Sequence, residues 1–383
     1  MTVWIQNPFD NLPAEGYRKQ RYWLMAEAFV RAGHQVVYWT SDFSHARKVE
    51  RLQGCEVAGL RGCEVKMIAT RSYRKNVSLA RIRSHRAYAK EWLRLALDSH
   101  PPSPIPHPSL IISSCPTLSA ADAALEIGKK FGARVVIDVQ DAWPETFERL
   151  APKGLRWLAR IALLPWRMQA RRIYRTADLV TGVCDAYRGL TERKDYYRAY
   201  LGVEVPWVDF NTEAQRHREI RLVYAGGLGK TYDLKTLVKA VETNREMTLD
   251  VAGFGDFSCG CSRVKFHGAL SAADLQKLFA TCDIGVIPMS GDSCVGLPNK
   301  LFDYSAAGLG IVSSLVGESA EILKKYKCGA TYRPGDVVSL TAAIRQAMTF
   351  ARGASRTMCE AEFDARTIYD AYVVRVTALV QNS

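Results

Sequence analysis

Lys300 and Asp303 give the clearest chemical signal in the sequence, because they lie one turn apart in a segment predicted to begin a helix. Pro298 and Asn299 precede them, and proline fits the first turn of a helix, where its missing N–H costs nothing. A lysine beside helix amides favours phosphate binding, and a carboxylate one turn later can accept hydrogen bonds from ribose hydroxyls. The segment therefore predicts a site for a ligand with both a diphosphate and a sugar. An amphipathic helix with two solvated charges is the simpler alternative.

Three further turns follow predicted strands and could approach phosphate or sugar oxygens. Glycines at a strand-to-helix turn allow backbone amides to face phosphate. In the first of these three turns a lysine adds a positive charge. The first turn has neither the P-loop spacing nor the G-x-G-x-x-G pattern. Two acids in the third turn could meet a ribose or simply begin the next helix. The residues concerned are Gly226, Gly227 and Lys230 in the first turn, Gly253 and Gly255 in the second, and Glu318 and Glu321 in the third.

The front half of the chain has further candidate ligand-binding residues near the ends of predicted strands. Asp141 and Glu145 follow an apolar predicted strand, 135–139, and the carboxyl end of such a strand is where α/β enzymes place their chemistry. An N-cap and a first-turn acid of the following helix would explain them equally well. Gly16, in the loop after the first strand, would let a phosphate or acceptor approach the backbone, or simply form a turn. His45 could lie near the same site or serve as a structural hydrogen-bonding residue.

The elements that must position these residues form two α/β series. Short apolar runs bounded by turns predict buried parallel strands, with helices between them. The pattern breaks near 206–218 and then starts again, and a last helix is predicted over 361–380. Strands are predicted over 3–6, 36–40, 110–113, 135–139, 179–183, 220–225, 249–252, 264–267, 284–288 and 311–314, and helices over 17–32, 79–97, 119–131 and 234–242.

Length and composition agree with two such domains. A chain of 383 residues is too long for one ordinary core, and its 48% hydrophobic residues can bury two. No apolar run approaches the ~20 residues of a membrane span, and a strand begins almost at once, so we expect a cytoplasmic protein without a signal peptide. Ten scattered cysteines predict reduced thiols. The close pair Cys259 and Cys261 predicts a loop, because further metal ligands at suitable spacing are missing from the sequence.

The formal net charge of +13 is concentrated in two stretches. Residues 47–94 hold thirteen Lys and Arg against four Asp and Glu, and the run 156–175 mixes arginines with large apolar residues. The second stretch could meet the headgroups of an anionic membrane, or form the basic face of an ordinary covering helix. Nucleic acid is a poor fit, because helix-turn-helix, zinc-finger and RNA-binding aromatic patterns are missing from the sequence.

Several of these segments resemble one known family. The run Pro-Asn-Lys-Leu-Phe-Asp-Tyr-Ser-Ala-Ala-Gly at 298–308 resembles the nucleotide-sugar signature of family 4 GT-B glycosyltransferases, in the polysaccharide-building branch that reads Pro-Asn-Lys-Leu-Phe-Glu-Tyr. Asp303 stands where that branch has Glu, and Val295 stands where the family often has an earlier acid. The specific parts of the resemblance lie in 5–48, 135–145, 222–235 and 284–322.

The resemblance implies an α/β protein of GT-B fold, in which two Rossmann-like domains with parallel sheets face a central cleft. It implies an acceptor domain over 1–205, a nucleotide-sugar domain over 206–360 and a terminal helix over 361–383 that crosses back to the first domain. The implied activity is retaining transfer of a sugar from a UDP- or GDP-linked donor to a glycan or lipid-linked acceptor of surface polysaccharide or glycoconjugate biosynthesis. A sugar-nucleotide epimerase of GT-B architecture and a non-catalytic nucleotide-sugar-binding protein are the alternatives.

Each candidate residue takes a role in this scheme. Cleavage between the anomeric carbon and phosphate builds negative charge on the leaving group, so Lys230 and Lys300 are expected to neutralise it. We expect no metal and no other cofactor, and a location in the cytoplasm with peripheral contact to the inner face of the cell membrane. Asp141 is the third catalytic candidate; Gly226, Gly227, Gly253, Gly255, Pro298, Asn299, Asp303, Glu318 and Glu321 are assigned to the donor, and Gly16, His45 and Glu145 to the acceptor.

Overall fold

The computed structural model describes residues 1–15, 18–45, 47–51, 60–75, 78–98, 105–204, 219–229, 231–291, 293 and 295–381. The chain divides into two compact units. The N-terminal unit comprises Met1–Tyr200 and Arg366–Ser383, and the C-terminal unit comprises Leu201–Ala365. The boundary expected at 205/206 falls on the stretch 205–218, which lies outside the described residues.

The N-terminal unit is built on a seven-stranded parallel sheet in the order β5-β2-β1-β6-β7-β8-β9, with a short antiparallel pair, β3-β4, beside it. The edge strand β5 was not predicted, because its alternating charged residues leave it half-exposed. The strands are β1 (Thr2–Gln6), β2 (Gln35–Ser41), β3 (Phe43–Ser44), β4 (Val49–Glu50), β5 (Cys63–Ile68), β6 (Leu110–Cys115), β7 (Arg134–Val139), β8 (Leu179–Gly182) and β9 (Tyr197–Arg198). The helices are α1 (Arg21–Arg31), α2 (Leu79–Leu97), α3 (Leu118–Phe131), α4 (Glu145–Leu150), α5 (Arg156–Ala162), α6 (Leu164–Thr176) and α7 (Arg188–Thr191).

The C-terminal unit has a six-stranded parallel sheet in the order β12-β11-β10-β13-β14-β15. This order reverses between β10 and β13, and open α/β sheets bind ligands beyond the carboxyl ends of the strands at such a point. The strands are β10 (Ile220–Ala225), β11 (Met247–Ala252), β12 (Val264–Gly268), β13 (Ile284–Ile287), β14 (Gly310–Ser313) and β15 (Gly329–Thr331). The helices are α8 (Leu234–Thr243), α9 (Ala272–Ala280), α10 (Asn299–Ala306), α11 (Glu318–Tyr326), α12 (Val337–Ala347) and α13 (Ala354–Glu362).

The last helix, α14 (Ala365–Gln381), packs on the N-terminal unit through most of its length. Arg31 of α1 forms an ion pair with Asp370 at 2.6 Å. The sequence predicted one helix over 361–380, but the structure breaks it after α13. Phe363 is fully buried against the ring of Phe302, and Asp364 pairs with Val203 in an isolated bridge, so the backbone leaves the helical path there.

Both sheets are parallel, and helices alternate with strands in each unit, which confirms the predicted α/β class. The central strands read as nearly continuous apolar runs because both faces of a parallel sheet are covered. Over the described part of the chain, every helix is too short or too polar to cross a membrane.

Candidate functional site

Helix α10 begins at the carboxyl ends of the central strands of the C-terminal unit. Pro298 is its N-cap residue, with an extended backbone, and Lys300 lies in its first turn. Tyr304, one turn later, is fully buried; its hydroxyl accepts a hydrogen bond from Ala225 N at 2.9 Å and donates to Val286 O at 3.5 Å. These bonds join α10 to both β10 and β13, so the helix is held where the strand order reverses.

The ammonium group of Lys300 is buried between aromatic rings and a glycine turn. Only 7% of the residue is exposed, and Nζ lies 3.8 Å from the ring centre of Tyr232 and 4.9 Å from that of Tyr224. A methyl group on Gly226 would come within 2.5 Å of Nζ, so the ammonium needs glycine there. Burial lowers the pKa of Lys300 to about 8, although Asp303 opposes the shift. Lys300 therefore stays charged at neutral pH. Because little water reaches its ammonium group, its attraction for an anion is stronger than at the protein surface.

The glycine turns after β10 and β11 pack directly against each other. Gly226 has φ +144° and Gly253 has φ +146°, and Gly226 N donates to Ala252 O at 2.8 Å. A side chain on Gly253 would overlap the carbonyl oxygen of Gly226, and one on Gly255 would come within 2.8 Å of Leu228 Cβ. The two turns thus form a surface of bare backbone beside Lys300, which suits close approach of a phosphate.

The remaining donor-side candidates lie at the same edge of the C-terminal sheet. Asn299 is exposed at the start of α10, and Asp303 is half-buried one turn after Lys300. Glu318 is half-buried and Glu321 exposed in the first turn of α11, which follows the carboxyl end of β14. Gly227, in the glycine turn after β10, is half-buried, and a side chain there would meet nothing within 4 Å. Lys230 lies outside the described residues.

A second group of residues gathers at the carboxyl edge of the N-terminal sheet, around Arg81 of α2. Its guanidinium lies over two aromatic rings, with its central carbon 5.5 Å from the ring centre of Phe9 and 5.1 Å from that of Trp143. Arg81 Nε also donates to Nε2 of the buried His85 at 3.2 Å. These contacts hold the guanidinium in one orientation.

His45 lies in the same group and is held in one protonation state. Its Nδ1 contacts the hydroxyl of Tyr73 and lies 3.3 Å from Nζ of Lys48. An ammonium can only donate, so Nδ1 is an acceptor and the neutral ring carries its proton on Nε2. Burial, with Lys48 and Arg81 nearby, lowers the pKa of His45 to about 3. His45 is therefore a neutral hydrogen-bond donor at physiological pH and cannot act as an acid there.

The two acids of the predicted acceptor side differ in their surroundings. Asp141 is reached by solvent at the end of β7, yet the protein around it displaces enough water to raise its pKa to about 6, against the opposing charge of Arg81. Glu145 begins α4 and forms an ion pair with Arg167 at 3.3 Å. Gly16 lies outside the described residues.

Two family models match most of the chain. Residues 19–203 match the glycosyl transferase 4-like domain, and residues 219–349 match glycosyl transferases group 1. The chain belongs to the GT-B glycosyltransferases. No curated protein matches the sequence.

Solved structures share the GT-B fold at low sequence identity. Sucrose-phosphate synthase from Thermosynechococcus elongatus is 14% identical with a TM-score of 0.72, over 100% of both chains. Anabaena HepE, solved with UDP and glucose, is 15% identical with a TM-score of 0.64, over 99% of this chain and 100% of HepE. The apo form of the lipopolysaccharide outer core galactosyltransferase WaaB is 13% identical with a TM-score of 0.63, over 99% of this chain and 100% of WaaB.

Sequence reasoning named only some of the residues that the structure brings together in these two groups. It named His45 and Asp141, but it did not name Lys48, Arg81 and His85, which lie in the same group. Arg81 and His85 lie four residues apart on α2, so a shared helix face was the available signal. Many basic helices show the same spacing, and the aromatic contacts that single these residues out come from distant loops.

Proposed function

We propose that the protein is a retaining glycosyltransferase that moves a sugar from a nucleotide-sugar donor to a glycan or lipid-linked acceptor in surface polysaccharide or glycoconjugate biosynthesis. The observation that supports this most is the buried ammonium of Lys300 beside the bare glycine turns, where the strand order reverses. HepE, of similar fold, has been solved with UDP-glucose. The donor would bind the C-terminal unit and the acceptor the N-terminal unit.

The proposed chemistry depends on charge at the leaving group. The bond between the anomeric carbon and the diphosphate oxygen breaks, and the diphosphate takes the electron pair. Lys300 and the amide end of α10 would stabilise this charge, so we propose turnover without a metal or other cofactor. Lys230 would supply a second positive charge. Asp303, with Glu318 or Glu321, would accept hydrogen bonds from the ribose, and the departing phosphate would take the proton of the acceptor hydroxyl.

A thermal-shift screen with nucleosides, nucleoside monophosphates and nucleoside diphosphates tests the proposal. A ligand that binds only the folded state raises the melting temperature. We expect one nucleoside diphosphate to raise it clearly more than its nucleoside does. Product analysis of the matching sugar nucleotide, alone and with acceptors, then separates transfer from epimerisation. No shift with any nucleoside diphosphate, or a sugar isomerised without an acceptor, would contradict the proposal.

Gly226 and a control glycine elsewhere in the C-terminal unit give a test of the backbone surface beside Lys300. Gly226→Ala is expected to weaken nucleoside diphosphate binding by about tenfold or more, because the methyl displaces the Lys300 ammonium and strains a backbone with φ +144°. Gly260→Ala, at an exposed position in the loop after β11, should bind like the wild type, since its methyl would meet nothing within 4 Å. Titration calorimetry gives both affinities. Equal losses in the two variants would remove Gly226 from the site.

The pKa of Asp141 predicts an acidic limb in the rate profile. The carboxylate is present above its pKa of about 6 and lost below it. If it accepts a hydrogen bond from an acceptor hydroxyl, kcat/KM for the acceptor should fall as the pH drops below about 6. Asp141→Asn should lower the plateau and abolish this limb, and Glu145→Gln should keep it. A limb that persists in Asp141→Asn would assign it to another group.

An exposed apolar stripe on the N-terminal unit supports contact with a membrane. Trp157, Ile161, Leu164 and Met168 follow one another at intervals of three or four along α5 and α6, and each is more than half exposed. Residues 145–176 hold eight Lys and Arg against two acids. We propose that this stripe, the Trp157 stripe, contacts an anionic membrane at its cytoplasmic face, with the apolar groups dipping in and the basic residues meeting headgroups.

Vesicle flotation at low salt tests the Trp157 stripe. The protein should float with vesicles that contain phosphatidylglycerol and much less with pure phosphatidylcholine. Replacing Trp157 and Ile161 by Ser should reduce binding on the order of tenfold or more, because two large side chains no longer leave water. Val338→Ser removes an even more exposed apolar residue, in the C-terminal unit, and should leave flotation unchanged. Unchanged flotation of the double variant would contradict the proposal.

A further inference from the structure

Helix α2 and the loops that follow β1, β2, β5 and β7 assemble a positively charged group of residues, which we call the Arg81 cluster. It combines two cations, two neutral histidines and one acid with aromatic rings. The members are Phe9, His45, Lys48, Tyr73, Arg81, His85, Asp141 and Trp143.

We infer that the Arg81 cluster binds an anionic group, a phosphate or a carboxylate, on the acceptor sugar. This inference rests on the proposed function, because it assigns the chemical class of the acceptor. An anionic oxygen group attached to a sugar is the shared chemistry, and either a sugar phosphate or a sugar acid could provide it.

The two cations of the cluster share one tyrosine. Lys48 Nζ lies 4.7 Å from the ring centre of Tyr73, and Arg81 hydrogen-bonds to the same side chain. Burial together with Arg81 lowers the pKa of Lys48 to about 8, so the ammonium is still largely charged at pH 7. Two like charges held in one partly buried place repel each other. An anion bound beside both of them relieves that repulsion and gains charge-assisted hydrogen bonds.

The other titratable members of the cluster do not cancel this charge. His85, like His45, has its pKa lowered to about 3 by burial and by Arg81, so both rings are neutral near pH 7. Asp141 is the acid of the cluster and leaves an excess of one positive charge when it is ionised. The cluster therefore has the sign that attracts an anionic acceptor and disfavours a cationic one.

Preorganisation is the second reason to expect ligand binding. Arg81 is fixed by two rings and by His85 before any ligand arrives, which lowers the entropy lost on binding. Lys48 has a backbone φ of +60°, uncommon for a side chain-bearing residue, and this conformation accompanies its contacts with His45 and Tyr73. The contacts of Arg81 and Lys48 with neighbouring side chains thus hold both cations in place before a ligand binds.

Matched pairs of sugars test the inference in the full-length protein saturated with the nucleoside diphosphate that raises its melting temperature most. This ligand occupies the diphosphate part of the donor site, so the phosphate of a probe cannot bind there. Calorimetry compares glucose 1-phosphate with glucose, and methyl glucuronide with methyl glucoside. We expect the anionic member of at least one pair to bind about tenfold tighter than its neutral partner. The phosphate pair and the carboxylate pair distinguish the two sources of charge.

Three single variants decide whether the Arg81 cluster causes the preference for anionic sugars. Lys48→Gln and Arg81→Gln should lose the preference for the anionic sugar, and Arg83→Gln, at an exposed position on the same helix, should keep it. Affinity for the nucleoside diphosphate should be the same in all three, so failure at the donor site is recognised separately. If Arg81→Gln unfolds, Lys48→Gln decides alone. Equal binding of anionic and neutral sugars by the wild type, or a preference retained by Lys48→Gln, would overturn the inference.

Discussion

Lys300→Met is expected to lower kcat/KM by a factor on the order of 10² to 10³, the loss typical of removing one preorganised donor from a developing oxyanion. Methionine keeps most of the side-chain volume and its contacts with Tyr224 and Tyr232, so the change removes the charge and leaves the packing. The effect should appear mainly in kcat, because negative charge on the leaving group grows as the bond between the anomeric carbon and the diphosphate oxygen breaks.

Steady-state rates with the identified donor measure this effect, and Lys324→Met serves as the control. Lys324 lies exposed on α11, and its replacement should leave the kinetics unchanged. Thermal unfolding of both variants would exclude a folding defect. Wild-type rates for Lys300→Met would remove Lys300 from the reaction, and a rise in KM alone would restrict it to ground-state binding.

Arg21→Met is expected to destabilise the N-terminal unit by about 3–5 kcal/mol, because it leaves a buried carboxylate without its counter-ion. Arg21 Nε and the second terminal nitrogen donate to the two oxygens of Asp138 at 2.8 Å each. Both side chains are almost fully buried. The remaining terminal nitrogen of Arg21 donates to Ala199 O and Tyr200 O, so the arginine also joins α1 to the end of the sheet.

The pH dependence of this variant follows from Asp138. Burial alone would raise its pKa, but Arg21 and hydrogen bonds from Thr181 and Tyr22 lower it below the ordinary value. A lowered pKa in the folded state contributes stability above the unfolded pKa of about 3.9, and that stability is lost as the pH falls through the folded pKa. The deficit of Arg21→Met should therefore be largest at neutral pH and should shrink in acid, where the unpaired carboxyl can protonate.

Urea unfolding at pH 7 and pH 4 measures this, with tryptophan fluorescence as the signal. Seven of the eight tryptophans belong to the N-terminal unit, so the signal reports mainly its unfolding. Arg31→Met is the control: it breaks an exposed ion pair with Asp370 and should cost less than about 1 kcal/mol. A loss for Arg21→Met no larger than that of the control would show that the buried pair contributes little.

The residues around Lys300 could be named from the sequence more completely than those around Arg81, for a physical reason. Lys300, Asp303 and Pro298 lie in one continuous signature, and the chain itself fixes their spacing on α10. The aromatic surroundings of Lys300 were not predicted, because Tyr224 and Tyr232 reach it only after β10 and the following turn fold back. The lowered pKa of Lys300 is caused by this burial, so it could not be predicted from the neighbouring residues in the sequence.

The Arg81 cluster depends on contacts between segments that are far apart in the chain. Arg81 meets Phe9 and Trp143, which are separated from it by roughly seventy and sixty residues. The break before α14 likewise depends on burial of Phe363 against Phe302, a contact that helix periodicity cannot reveal. Element type and most strand positions followed from apolar patterning, whereas these long-range contacts did not.

Proton uptake on ligand binding tests most directly whether Lys300 holds the diphosphate. In the protein without ligand, Lys300 has a pKa of about 8, and a diphosphate bound beside it should raise that pKa. At pH 8, calorimetry in two buffers of different ionisation enthalpy should therefore show uptake of about half a proton per nucleoside diphosphate bound. Lys300→Met should lose that uptake. The same uptake in wild type and variant, or none in the wild type, would contradict the assignment of Lys300 to the leaving group.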